Sequence, residues 1–484
     1  MKTDFLKIGF DALVHQTMER WSVPGLALAI VQGNEVLHLA GYGLRDIAGS
    51  LPVTPETLFP IASCTKAFTV MALGLLVDER KLEWDKPVKE YLPGWQMYDP
   101  VATESLTVRD LLSHRSGLPP HDWLWIGSYF NRREVLARLR YLEPSAPLRA
   151  RFQYQNIMYM IASLLVNEIT GLSWERFVQT RIFDMLGMKR SNFSTLITQQ
   201  DPNHARPHIY REGQIRESRF WEQDGENCVT GAAGSICSCV SELTDWLSLQ
   251  MNTGKVGERQ FIQPQTLEAM HLPNIYIDDP DARRNFGYEF MSYGMGWFLR
   301  SHKGQMLVSH SGSVDGFGAT IYFMPRHCLG VVALTNCDEG HNPVAPIISL
   351  TIFDRLLELQ PSNWDGLFSP AYVEPASIPV PDPEPITPSA RTIESYTGTY
   401  EHPGYGRVSV HLTDGRLQMS LNNRWTFEVT HTDGDTFNAH ESEWDNSLKL
   451  KFTADAQGQI ASIAIPLEVA VHDIVFVRKA NVRG

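Results

Sequence analysis

Apolar residues follow three spacings along the 484-residue chain. Near the start, Leu26–Val31 and Val36–Ala40 are short apolar runs around Gly33-Asn34, which predicts a hairpin of buried strands. Longer stretches with helical spacing follow at Thr65–Arg80, Val108–Ser113, Asn156–Gly171, Trp174–Met185 and Val240–Asn252. Strand-length runs return at Gly296–Arg300, Met306–His310, Ala319–Phe323 and Gly330–Thr335, and a last helix is expected over Ala345–Leu359. Strands at both ends of a mainly helical middle imply one sheet assembled from chain-distant segments. That is an α/β (α+β) sandwich rather than a βαβ array.

The pattern changes at Pro361. From there to Ala390 the chain is rich in proline, including Pro379-Val380-Pro381-Asp382-Pro383-Glu384-Pro385. Proline at that density removes amide donors and favours extended chain, so 361–390 is expected to be a linker between a unit over 1–360 and a smaller one over 391–484. Beyond it, Val408, Val410 and Leu412 alternate with polar residues, Asp414-Gly415 follows, and Leu417, Met419 and Leu421 alternate again, a hairpin signal. Leu448–Phe452, Ile460–Ile465 and Ile474–Val477 predict further strands, so the unit should be a small antiparallel β-barrel. It carries no evident chemistry; packing, oligomerisation or shaping of an active site are its expected roles.

Composition narrows the class. Apolar residues make up 43% and charged residues 20%, as in soluble globular proteins, and the net charge of −13 argues against nucleic-acid or anionic-membrane partners. No run of about 18 apolar residues predicts a membrane span. The start, Met1 to Lys7, has no continuous apolar segment, so no signal peptide is read and a cytoplasmic location is expected. Six cysteines without framework spacing suggest free thiols. Cys237-x-Cys239 lacks a second ligand pair and reads as buried small residues, so neither a metal nor another cofactor is expected.

Three segments could carry chemistry. In Ser63-Cys64-Thr65-Lys66, opening an apolar helix, residues three apart share a face and bring an alcohol to an amine. An alcohol becomes a nucleophile when a neighbouring base takes its proton. Tyr154-Gln155-Asn156, just before a helix, offers a phenol able to act as a base near cations and a carboxamide able to hold a substrate carbonyl. His310-Ser311-Gly312-Ser313 ends a strand in glycine, so a substrate backbone could pair with it, and His310 could supply a donor whose charge varies with pH.

Together these segments resemble the serine β-lactamase-like superfamily of class C β-lactamases, penicillin-binding DD-peptidases, family VIII esterases and D-aminopeptidases. Gly41-Tyr42-Gly43, Thr57-Leu58-Phe59, Leu111 to Leu118, Leu186-Gly187-Met188, Tyr293 to Trp297 and Gly316-Phe317-Gly318 support the likeness, which covers about residues 10–355. Tyr396-Thr397-Gly398-Thr399-Tyr400 is similar to the opening of the lipocalin-like barrels appended to some of these hydrolases. The resemblance implies Ser63 as nucleophile, Lys66 and Tyr154 sharing the proton, Asn156 positioning the substrate amide, and the amides of Ser63 and Ser313 as oxyanion hole. Gly312 and Ser311 would contact a small-molecule or peptide acyl substrate; Trp123 and Trp125, an apolar cluster with Ile126, either line that pocket or pack in the core or rim; homo-oligomers are possible. His310 stands where β-lactamases carry the lysine of Lys-Thr-Gly, which favours ester or D-residue amide hydrolysis over β-lactam cleavage. Acyl transfer or peptide cyclisation, weak β-lactamase activity and an inactive scaffold are the alternatives. An α/β-hydrolase is disfavoured by the lack of Gly-x-Ser-x-Gly, a zinc peptidase because His440-Glu441 has no second histidine, and a dinucleotide loop because Gly41-Tyr42-Gly43 lacks a third glycine.

Overall fold

The hairpin expected near the start lies toward one edge of a large sheet. Strand Gly25–Gln32 is buried along nearly its whole length, consistent with its unbroken apolar run, and turns at Gly33 into Glu35–Asp46. Its other neighbour is Leu329–Thr335, with Leu26 opposite Thr335 and Gln32 opposite Leu329, three hundred residues apart in the chain. The computed structural model describes residues 4–220, 228–338, 342–369, 391–442 and 446–479; most of the expected linker, 370–390, lies outside them.

Nine antiparallel strands make this sheet, in the order Ile275–Tyr276, Met291–Tyr293, Phe298–His302, Gln305–Val314, Phe317–Met324, Leu329–Thr335, Gly25–Gln32, Glu35–Asp46, Leu51–Pro52. One face packs on helices Phe10–Arg20 and Val344–Leu356 through Leu26, Leu28, Tyr322, Val331 and Ile348. Helices Thr65–Asp78 and Val240–Met251 belong to the same unit, and the Phe68 and Trp246 rings stack between them with centroids 3.8 Å apart. Thr65–Asp78 is buried on every side from Thr65 to Leu76, as befits a helix that is apolar around most of its circumference, with Thr65, Lys66 and Thr69 the buried polar residues near its start. The stretch expected as one helix over Trp174–Met185 is interrupted by a wide π-helical turn at Gln179–Phe183 and stops at Gly187, whose φ of 71° only glycine adopts cheaply.

The C-terminal strands close into an eight-stranded antiparallel barrel, Gly398–His402 pairing both with Gly406–Thr413 and with Ile474–Arg478. Asp414 and Gly415 take φ of 50° and 76°, the left-handed pair that a two-residue hairpin requires. The barrel interior is filled by the rings of Tyr396, Tyr400, Phe437 and Phe452, centroids 4.7 to 6.0 Å apart.

By contact density the chain divides into two compact units. The first comprises Met1–Leu92, Thr107–Arg115 and Met158–Val373; the second comprises Pro93–Leu106, Ser116–Ile157 and Glu374–Gly484. Two internal segments therefore cluster with the barrel.

Candidate active site

The sheet unit holds the SxxK pair. Ser63 lies in a short 3-10 turn, Ala62–Cys64, that leads into helix Thr65–Asp78. Ala62 before it has φ of 44°, a left-handed conformation that costs a residue with a Cβ about 1 kcal/mol or more. The turn is over-determined by its neighbours. Ile61 N–H donates to the Ile236 carbonyl (2.9 Å), the Ile236 N–H to Thr65 Oγ1 (3.1 Å), and Thr69 Oγ1–H to the Ala232 carbonyl (2.6 Å). The Cys64 thiol points to the His310 carbonyl at 3.4 Å. Ser63 itself stays partly exposed while Ala62, Cys64 and Lys66 on either side are buried.

Lys66 is fully buried, and its Nζ donates to Ser63 Oγ (2.9 Å) and to the Ala233 carbonyl (2.9 Å). It also lies 5.5 Å from the centre of the Tyr159 ring, a cation–π distance. Ala233 was not legible beforehand. Its only signal is the run Gly231-Ala232-Ala233-Gly234, small residues that let a backbone carbonyl approach the helix.

Strand Gln305–Val314 runs beside the turn, and Gly312 makes this possible. A Cβ there would lie 2.2 Å from the Ile61 carbonyl oxygen and 2.9 Å from the Ser63 amide nitrogen. The strand that carries Ser313 thus passes within van der Waals range of the Ser63 amide.

His310 departs from its expected role. It is 1% exposed, and burial, then the charge of Lys66, push its pKa down to about 3. Its Nδ1 lies 2.7 Å from the Ser311 carbonyl, which can only accept, so Nδ1 carries the proton and Nε2 accepts from the Tyr293 hydroxyl at 3.0 Å. In place of a donor whose charge varies near neutral pH stands a ring that is neutral there and hydrogen-bonded to Ser311 and Tyr293. His114, packed against the rings of Tyr159 and Tyr293, is likewise held well below the usual histidine range, first by burial and then by the charge of Lys66. In the turn after the strand, burial pushes Asp315 up to about 6.

The remaining candidates belong to the second unit. Asn156 starts helix Asn156–Thr170, Tyr154 lies two residues before it, and the Tyr154 ring lies 6.5 Å from that of Phe152. The Trp123 ring faces Phe427 of the barrel at 6.2 Å, and Trp125 Nε1 donates to Asp122 at 2.8 Å. Both tryptophans are partly exposed and make these contacts within their own unit. Cys237 and Cys239 are buried, Cys237 pushed up to about 12 by burial, and no group of three metal-binding side chains occurs among the described residues. No single described helix is long and apolar enough to cross a membrane.

Residues 10–348 match the Beta-lactamase family model, and residues 382–478 match a domain of unknown function, DUF3471. The chain is 28% identical over 441 residues to the unguisins hydrolase ungD' of Aspergillus campestris, covering 84% of this chain and 78% of that protein. It is 28% identical over 473 residues to the unguisins hydrolase ungD of Aspergillus violaceofuscus, covering 89% and 82%. Among solved structures, the octameric penicillin-binding protein homologue from Pyrococcus abyssi superimposes with a TM-score of 0.65 at 22% identity, over 96% of this chain and 99% of that one.

Proposed function

Given that the chain belongs to the Beta-lactamase family, we propose that it is a serine hydrolase that forms an acyl-enzyme on Ser63 and cleaves ester or amide bonds. The observation that carries this reading is the buried Lys66 amine bonded to the accessible Ser63 hydroxyl at 2.9 Å, in a turn held in a strained conformation. Strain that a fold maintains next to a nucleophile fits a site fixed before substrate arrives.

Ser63 Oγ bonds to the carbonyl carbon while its proton passes to the Lys66–Tyr154 pair. The carbonyl electron pair moves onto oxygen, which the Ser63 and Ser313 amides receive. Collapse of that adduct expels the alcohol or amine, which takes the proton back, and water then releases the acid by the same steps. Proton transfer of this kind contributes roughly 10²–10⁴-fold and an oxyanion donor about 10²–10³-fold. Asn156 is assigned to the substrate amide. His310, neutral and fixed by Tyr293, offers no cation for a substrate carboxylate, which supports ester or D-residue amide substrates over β-lactams. The hydrolase names of both fungal relatives favour water as acyl acceptor.

The test is labelling with a fluorophosphonate followed by peptide mass spectrometry, run beside p-nitrophenyl esters, D- and L-aminoacyl anilides and nitrocefin. A Ser63 adduct and loss of turnover in a folded Ser63→Ala variant are expected; turnover retained at ordinary rates by that variant refutes the assignment.

A further inference from the structure

The hydrogen bonds within the second unit converge on one residue. His121 is completely buried and has φ of 47°, a left-handed conformation unusual for a histidine. Its backbone N–H donates to barrel Glu468 Oε2 at 2.8 Å. Its Nε2 lies 3.0 Å from the Glu143 carbonyl, which fixes the proton on Nε2, so Nδ1 accepts from the hydroxyl of barrel Tyr405 at 2.7 Å. Burial keeps this imidazole below the usual histidine range, hence neutral.

Further bonds extend the clamp along the next turn. Trp425 Nε1 donates to the Ile126 carbonyl (2.7 Å), Asn422 Nδ2 to the Gly127 carbonyl (2.9 Å) and Arg424 Nη1 to the Ser128 carbonyl (2.9 Å). A Cβ at Gly127 would lie 2.8 Å from Leu421 Cδ2, so the backbone rests directly on the barrel wall. The three acceptors are successive carbonyls at the end of the short helix Trp123–Ile126, which the barrel caps.

From His121 the connection to Tyr154 is short. Gln155, fully buried, donates through Nε2 to the carbonyl of Pro119, two residues before His121, at 3.0 Å, and its Oε1 accepts from the Ile157 amide at 2.6 Å. Gln153 beside it donates to Ser145 Oγ at 2.5 Å, while the Ser145 and Ala146 amides both donate to the Gly117 carbonyl. Tyr154 and Asn156 thus flank a side chain anchored to the loop that the barrel grips.

We infer that the C-terminal barrel is the positioning domain for Tyr154, acting through the Tyr405–His121–Pro119–Gln155 chain. This rests on the reading of Tyr154 as part of the proton relay. The barrel is assigned no step of the chemistry; its role is to fix where the phenol is held. A filled interior and a row of side chains aimed at one neighbouring loop suit a brace rather than a ligand carrier.

The test is a double-mutant cycle in the full chain. Tyr405→Phe removes one hydroxyl and Trp425→Phe one indole N–H, each made in the natural and in the Tyr154→Phe background. The readout is the second-order rate of Ser63 labelling by a fluorophosphonate, with near-ultraviolet circular dichroism to establish folding. Each barrel substitution is expected to lower the rate about tenfold when Tyr154 is present, as a displaced catalytic group does, and by less than about twofold when it is absent. The same factor in both backgrounds, or no loss in either, overturns the inference while leaving the relay intact. A Tyr154→Phe variant that labels at the natural rate overturns the relay itself, and the inference with it. Should Tyr405→Phe fail to fold, Trp425→Phe decides alone.

Discussion

Replacing Gly312 by alanine tests the site with a single methyl group. The added carbon would lie 2.2 Å from the Ile61 carbonyl oxygen, 2.9 Å from the Ser63 amide nitrogen and 3.0 Å from Ala62 Cβ. A carbon needs roughly 3.4 Å from such an oxygen, so strand and turn must separate by about an ångström. The turn cannot yield locally, because Ala62 is already strained and Ile61, Cys64 and Thr65 are each hydrogen-bonded. Overpacking of this kind costs about 1–3 kcal/mol, a fall of roughly 1.5–4.5 °C in melting temperature for a unit this size. The chemistry should suffer more. An ångström of misplacement between nucleophile and oxyanion donors is worth about a hundredfold in rate. Stopped-flow labelling by a fluorophosphonate and differential scanning calorimetry separate the two effects. A folded Gly312→Ala variant that labels within threefold of the natural rate refutes the argument that strand and turn jointly form the oxyanion site.

Acid sensitivity follows from His310 and His271, both held at about 3 chiefly by burial. The unfolded chain protonates them below pH 6.5 and the folded chain does not, so stability is fully present above 6.5 and declines as pH falls from there toward 3. The slope reaches on the order of 2–3 kcal/mol per pH unit for the pair, measurable as urea midpoints; midpoints unchanged from pH 7.5 to 4.5 contradict it. Histidine resonances should likewise show no titration of His310 between pH 5 and 8. Asp354 accepts from His302 (3.1 Å), Lys303 (2.6 Å) and Trp364 (2.8 Å), and these bonds outweigh its burial to keep it below the usual carboxylate range. Asp354→Ala removes the acceptor shared by all three, leaving Lys303 its bond to the Gln360 carbonyl, and should cost about 3–5 kcal/mol by chemical denaturation; a loss under 1 kcal/mol would deny the cluster a structural role. With Ellman's reagent, Cys228 and Cys328 should react in the native protein while Cys64, Cys237, Cys239 and Cys337 wait for denaturant.

Local patterns gave away local structure. The hairpin around Gly33-Asn34, helix Thr65–Asp78 and the strands through His310 and Val331 follow from apolar spacing, because each buries a stripe or a whole length. Barrel strands Trp425–Asp433 and Thr436–Glu441 were missed: their inward rows are short and end in polar residues, Phe427 and Val429 leading to His431, Phe437 and Ala439 to Glu441. Ser63 and Lys66 were legible because three residues of helix dictate their meeting. That a histidine at 310 is largely neutral near pH 7 was legible; that it stays so well below pH 6 was not, since this depends on burial and on Lys66. Least legible was the company kept by residues 116–157, set by side chains such as Asn422 and Trp425 some three hundred positions away.

The pairing of Gly25–Gln32 with Leu329–Thr335 has a consequence for biosynthesis. When the first hairpin leaves the ribosome its outer edge has no neighbour, and none exists until three hundred more residues are made, roughly 15–60 s at ordinary elongation rates. Through that interval an apolar strand waits with open hydrogen-bonding groups, a template for any other nascent chain. Chaperone dependence, and heavy losses to aggregation when expression is fast, are written into the order of the strands rather than into the stability of the finished protein.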